Sequence, residues 1–133
     1  MGTIQISSDS FAYKNYQNWI TKTKNIGINF NWNEIEIALN EAFTNALIHG
    51  NKFDSTKKIE INYHYLHIIN EIQFSIIDEG EGFKLKETSN FLMDKNLINE
   101  GGRGILLMKK LSKKFHYSTN PFTAHLTFTC SRN

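Results

Sequence analysis

Two runs in the middle of the chain alternate so strictly that they limit the fold before anything else is considered. In the first, Ile59, Ile61, Tyr63 and Tyr65 alternate with Lys58, Glu60, Asn62 and His64. In the second, Ile72, Phe74 and Ile76 alternate with Glu71, Gln73 and Ser75. Successive side chains on a strand point to opposite faces, so each run describes a strand with one buried face and one wetter face. Such strands predict a mostly antiparallel sheet with cover on one side only.

The remaining segments supply that cover. Residues 3–7 alternate with Ile4 and Ile6 on one face and predict a short strand. Ser8, Asp9 and Ser10 are N-cap candidates for a helix in which Ala12, Tyr16, Trp19, Ile20 and Thr23 recur at helical spacing. Residues 25–30, with Gly27, break it. Asn31 and Glu34 frame a capping box with Asn as the cap, and a long helix is expected over 34–49 with Gly50 ending it. Residues 51–56 read as a connection. Residues 79–102 are polar, glycine-containing and poorly periodic, and predict a long functional loop. Ile105, Leu107, Met108 and Leu111 predict a helix over 103–111. A hairpin closes the chain, with Phe115 and Tyr117 on one face of its first strand and Ala124, Leu126 and Phe128 on one face of its second; Pro121 marks the turn. The expected fold is therefore an α+β, two-layer sandwich of a mostly antiparallel sheet with helices on one face, formed by a single domain over residues 1–133.

Composition excludes several classes. At 133 residues, with ten Phe, five Tyr and two Trp, the chain has the apolar material for one core and needs no disulfide or structural metal. A net charge of +2 lacks the basic surplus of a nucleic-acid binder. Lys109, Lys110, Lys113 and Lys114 read as a solvated helix end complementing the helix dipole. The single Cys130 and the absence of an apolar leader predict a reducing, cytoplasmic setting, and no apolar run is long enough to span a bilayer. The five histidines are scattered and read as structural or surface residues, with His49 a candidate exception; His116 and His125 are candidate cross-strand neighbours.

Four features carry chemistry. Glu41, Asn45 and His49 follow at i, i+4 and i+8 on the predicted helix, and Asn45 sits where helix propensity disfavours it. A carboxylate and a carboxamide one turn apart suit a general base beside a Mg²⁺ ligand. Asp78 continues the parity of Ile72, Phe74 and Ile76, so its carboxylate should face the helix layer, where an unanswered charge is costly. Gly80 and Gly82 follow it and permit close approach of a flat ring. Gly101, Gly102 and Gly104 lead into the 103–111 helix, whose N-terminal N–H groups suit phosphates. The Lys-Ser/Thr of a P-loop is absent. The intervening loop, about residues 84–101, is placed to act as a lid.

These motifs in this order resemble the GHKL ATPases. The run from Glu41 through Asn45 and His49 to Gly50 is similar to their N box, Asp78 to Phe83 to their G1 box, and Gly102 to Met108 to their G2 box. The nearest pattern is that of the anti-sigma factor serine/threonine kinases of bacterial partner switching. The resemblance implies a Bergerat-type ATP-binding fold, with ATP and Mg²⁺ as cofactors. It implies Glu41 as general base, Asn45 as Mg²⁺ ligand and Asp78 as acceptor of the adenine amine. Gly80 and Gly82 would make room for the base, Gly102, Arg103 and Gly104 would offer N–H groups to phosphates, and Gly101 would serve the lid hinge. The implied partners are a STAS-domain antagonist, phosphorylated on serine or threonine, and a sigma factor that the same chain can sequester. Relatives tend to dimerise, so a homodimer is one expected assembly. An ATP-binding partner-switch module with little or no transfer is the alternative. A histidine kinase is disfavoured because no upstream helical hairpin carries a phosphoacceptor histidine. Family members often carry a late-strand Thr near adenine; here the strand register gives that place to Phe122 and leaves Thr123 beside it.

Overall fold

The computed structural model describes residues 2–26, 29–80, 103–119 and 121–130. Five strands form one sheet: β1 (Gly2–Ser7), β2 (Lys58–Leu66), β3 (Glu71–Ile77), β4 (Lys114–Thr119) and β5 (Phe122–Thr129). Their spatial order is β1-β2-β3-β5-β4, and every pairing is antiparallel. Three α-helices complete the described fold: α1 (Ala12–Thr23), α2 (Trp32–Thr44) and α3 (Arg103–Leu111). The alternation of the sequence is realised directly. Ile59, Ile61, Ile72, Phe74, Ile76, Ala124 and Leu126 join the core, while Gln73 and His125 on the opposite face are exposed.

Aromatic rings fasten the two layers together. Tyr16 of α1 stacks on Phe43 of α2 at 4.4 Å between centroids, and Trp19 meets Phe74 of β3 edge-on at 6.2 Å. Phe74 continues the chain of rings to Phe128 of β5 at 6.1 Å. Burying a side chain of this size contributes on the order of 2–3 kcal/mol, with aromatic pairing adding about 1 kcal/mol. The Tyr16 hydroxyl donates to Asn40 Oδ1 at 2.7 Å, which satisfies the one polar atom that α1 buries with the ring. Burial, with the Glu36 charge nearby, pushes its pKa far above the usual tyrosine range.

The helix caps are mixed. Asn31 caps α2 as expected, its side chain accepting from Glu34 N at 3.3 Å. At α1 the cap position falls on Phe11, which offers no side-chain bond, and Asp9 instead holds the Phe11 N–H at 2.9 Å. The lysine run is solvated as expected, with Lys109 and Lys110 in the last turn of α3 and all four lysines exposed, and Lys113 also ion-pairs with Glu71 at the start of β3. β2 ends at Leu66, so His67 lies beyond the strand, whereas His116 and His125 are paired across β4 and β5.

The main departure lies in the long helix. It is continuous to Gly50, but α2 ends at Thr44 and residues Asn45–Gly50 form a π-helical turn. The Asn51 N–H reaches back five residues to the Ala46 carbonyl at 2.8 Å. The wider turn carries one residue more than an α-turn, so the stripe shared by Glu41 and Asn45 does not run unchanged to His49. π-turns of this kind inside helices are frequent at functional sites.

Candidate nucleotide site

The site grows from three chain segments that meet at one end of the sandwich: the π-turn, the end of β3 and the start of α3. Asp78 follows β3 directly and keeps its parity, so its carboxylate turns in under the helix layer, with 3% of its surface exposed. Its N–H donates to the Phe122 carbonyl at 3.1 Å. Its Oδ1 accepts from the backbone N–H groups of Gly80 at 2.9 Å and Phe122 at 3.2 Å. Its Oδ2 is buried and has no partner among the described residues. Burial raises the Asp78 pKa, and the two backbone bonds and Lys57 only partly oppose that. The carboxylate is thus held rigidly by one oxygen and offers the other as an unanswered acceptor.

Two glycines make this arrangement fit. A Cβ at Gly50 would lie 1.6 Å from Asp78 Oδ2, so the last residue of the π-turn must be glycine for the carboxylate to occupy its place. A Cβ at Gly80 would lie 2.1 Å from the Gly50 carbonyl oxygen. The need for glycine at position 80 therefore already follows from its packing against Gly50.

A second cluster lies at the other end of the π-turn. Asn45 is 2% exposed, and its Nδ2 is buried without a partner among the described residues. Gly104, the second residue of α3, sits against it. A Cβ there would meet Glu41 Oε2 at 2.8 Å, Glu41 Cβ at 3.3 Å and Asn45 Nδ2 at 3.5 Å. Glu41, Asn45 and Gly104 are therefore brought together, with Arg103 opening the helix beside them. The first N–H groups of an α-helix have no partner within it, and its N-terminus attracts anions. A half-buried carboxylate, an unsatisfied carboxamide and a helix N-terminus converge in one place. Gly82, Gly101 and Gly102, and the expected lid over 84–101, lie outside the described residues.

One residue of the site was not singled out from sequence, and a second was placed by strand register without its bonding role. Asn51 was read as part of a connection, but it is 1% exposed and hydrogen-bonded to three segments. Phe122 contributes both backbone groups to Asp78, a role that only the pairing of β3 with β5 discloses. Elsewhere, a groove of about 350 Å³ lies on the open face of the sheet, lined by residues including Asn62, Gln73, Ser75 and His125. It contains none of the site residues. Among the described residues no group of three or more metal-ligating side chains gathers, and no helix is long and apolar enough to cross a membrane.

An antiparallel sheet with a one-sided helix layer, a buried acceptor carboxylate and a helix N-terminus beside a Glu–Asn pair define a nucleotide-binding class of α+β domain. The family model of the histidine kinase-like ATPase domain matches residues 17–130, and the chain belongs to that family. None of the curated proteins matches the chain in sequence.

Proposed function

We propose that the chain is a Mg²⁺-ATP-dependent protein serine/threonine kinase of the cytoplasm, acting on a small STAS-domain antagonist and also sequestering a sigma factor. The observation that carries this reading is the convergence of Glu41, Asn45 and Gly104 on one spot. A phosphoryl transfer needs a base for the attacking hydroxyl, a cation on the phosphates and N–H donors around them. Glu41 is the carboxylate available to take the hydroxyl proton. The Arg103 and Gly104 N–H groups face the phosphates. Asp78 Oδ2 accepts the exocyclic amine of adenine, which answers its missing partner. Asn45 is the residue to hold Mg²⁺: its carboxamide has an unsatisfied end, and a half-turn presents the oxygen in place of the nitrogen. When bound, Mg²⁺ supplies charge neutralisation on the phosphates. Gly82, Gly101 and Gly102 are assigned to the base, the hinge and the phosphates by resemblance alone.

The test is direct. The protein is incubated with γ-labelled ATP, Mg²⁺ and a STAS-domain protein. Label is expected on a serine or threonine of the antagonist, and Glu41→Ala is expected to abolish it while still binding ATP. Equal transfer by Glu41→Ala would remove Glu41 as the base. Tight ATP binding by the wild type without any transfer would select the non-catalytic partner-switch reading.

A further inference from the structure

Asn51, the first residue after the π-turn, is the most connected buried polar side chain described outside the motifs. Its Oδ1 accepts from the Glu79 N–H at 2.8 Å. Its Nδ2 donates to the Lys58 carbonyl at 3.0 Å and to Ser8 Oγ at 2.8 Å. The Lys58 N–H in turn donates to Glu79 Oε1. Asn51, Lys58 and Glu79 therefore form a closed hydrogen-bonded ring, with Ser8 attached to it.

The ring grips the chain immediately after Asp78. Fixing the Glu79 N–H fixes the peptide that joins residues 78 and 79, and so helps place the next N–H, that of Gly80, which donates to Asp78 Oδ1 and holds the carboxylate. On the other side, Asn51 adjoins Gly50, whose missing Cβ is the space that Asp78 Oδ2 occupies. Residues 50 and 51 thus hold residues 78–80 from two directions. Lys52 and Phe53 follow with φ of 52° and 57°, although neither is glycine. Non-glycine residues keep that conformation only where surrounding contacts over-determine it. Asn51, with its three described side-chain bonds made at 3.0 Å or less, is the anchor next to that strained pair.

We infer that Asn51 is a positioning residue for base recognition, holding the Asp78 carboxylate in the direction that meets an exocyclic amine. This rests on the reading of Asp78 as the adenine acceptor. A merely structural asparagine would affect stability and leave nucleotide discrimination untouched. The informative quantity is therefore a ratio: affinity for ATP over affinity for purine riboside triphosphate, which lacks the amine.

Calorimetric titration of the full chain gives both affinities. Asn51→Ala is expected to weaken ATP about tenfold, the order of one lost hydrogen bond, while purine riboside triphosphate stays within about twofold, so the ratio falls. Glu79→Ala opens the same ring at an exposed residue that folding tolerates, and is expected to lower the ratio about threefold by the same argument. Ile20→Val, remote in the α1 core, should keep the wild-type ratio. A wild-type ratio in folded Asn51→Ala, or in Glu79→Ala, overturns the inference and leaves Asp78's role standing. A wild-type protein that does not discriminate between the two nucleotides removes Asp78's role and this inference together.

Discussion

Replacing Asp78 with Asn should make the protein more stable and a poorer nucleotide binder, and the two effects have one cause. The Asp78 carboxylate is buried, its Oδ1 is satisfied by two backbone N–H groups, and its Oδ2 has no partner among the described residues. Asparagine keeps the Oδ1 acceptor and replaces the orphaned charged oxygen with an orphaned neutral NH₂. An unsatisfied neutral group costs about 1–3 kcal/mol and a charged one more, so the net gain is about 1 kcal/mol. For a chain of this size that is about 3–5 °C in Tm. The pH dependence has a definite sign. The folded carboxyl has a raised pKa, so the unfolded chain ionises first. The Asp78 contribution to wild-type stability is therefore fullest below the ordinary aspartate pKa and is lost as pH rises through the folded value. The Asp78→Asn variant lacks that fall, so its advantage grows over the same window and then levels off. Urea unfolding at stepped pH, read by tryptophan fluorescence, measures it. In ATP titrations the same variant loses its acceptor and should bind about tenfold to a hundredfold more weakly. A variant less stable than wild type at neutral pH, or one that binds ATP equally well, would refute the reasoning.

Two glycine substitutions separate packing from chemistry. Gly50→Ala forces a methyl to within 1.6 Å of a fixed carboxylate, so it is expected to destabilise by about 3 kcal/mol or more, read as a lowered urea midpoint. Gly104→Ala meets Glu41 Oε2 at 2.8 Å, the movable end of a side chain, and should change stability by less than about 1 kcal/mol. By displacing Glu41 it should nonetheless cut phosphoryl transfer to the antagonist at least about tenfold while ATP affinity changes little.

The sheet was legible because its strands carry one apolar face each, and the Asp78 orientation followed from strand parity alone. Glu41 and Asn45 could be paired because one α-helical turn separates them. The π-turn could not be read, since residues 45–50 carry no local signal that distinguishes a wider turn from an α-turn. Its consequence, Gly50 pressed against Asp78, is a tertiary contact between segments far apart in sequence. Asn51 was missed for a related reason. An asparagine after a helix-ending glycine is an ordinary loop residue until β2 and β3 bring Lys58 and Glu79 to it. Phe122 was placed by register, but its backbone bonds to Asp78 required the pairing of β3 with β5.

The central claim is that an adenine nucleotide lies between Asp78 and the start of α3. Amide chemical shifts recorded while Mg²⁺-ATP is added to the labelled protein test it most directly. The account predicts shifts at the backbone amides of Gly80, Gly104 and Phe122 and at the Asn45 side-chain amide, with Thr3, Ser75 and Thr127 on the open sheet face unmoved. Shifts confined to that open face, or none at saturating nucleotide, would contradict it.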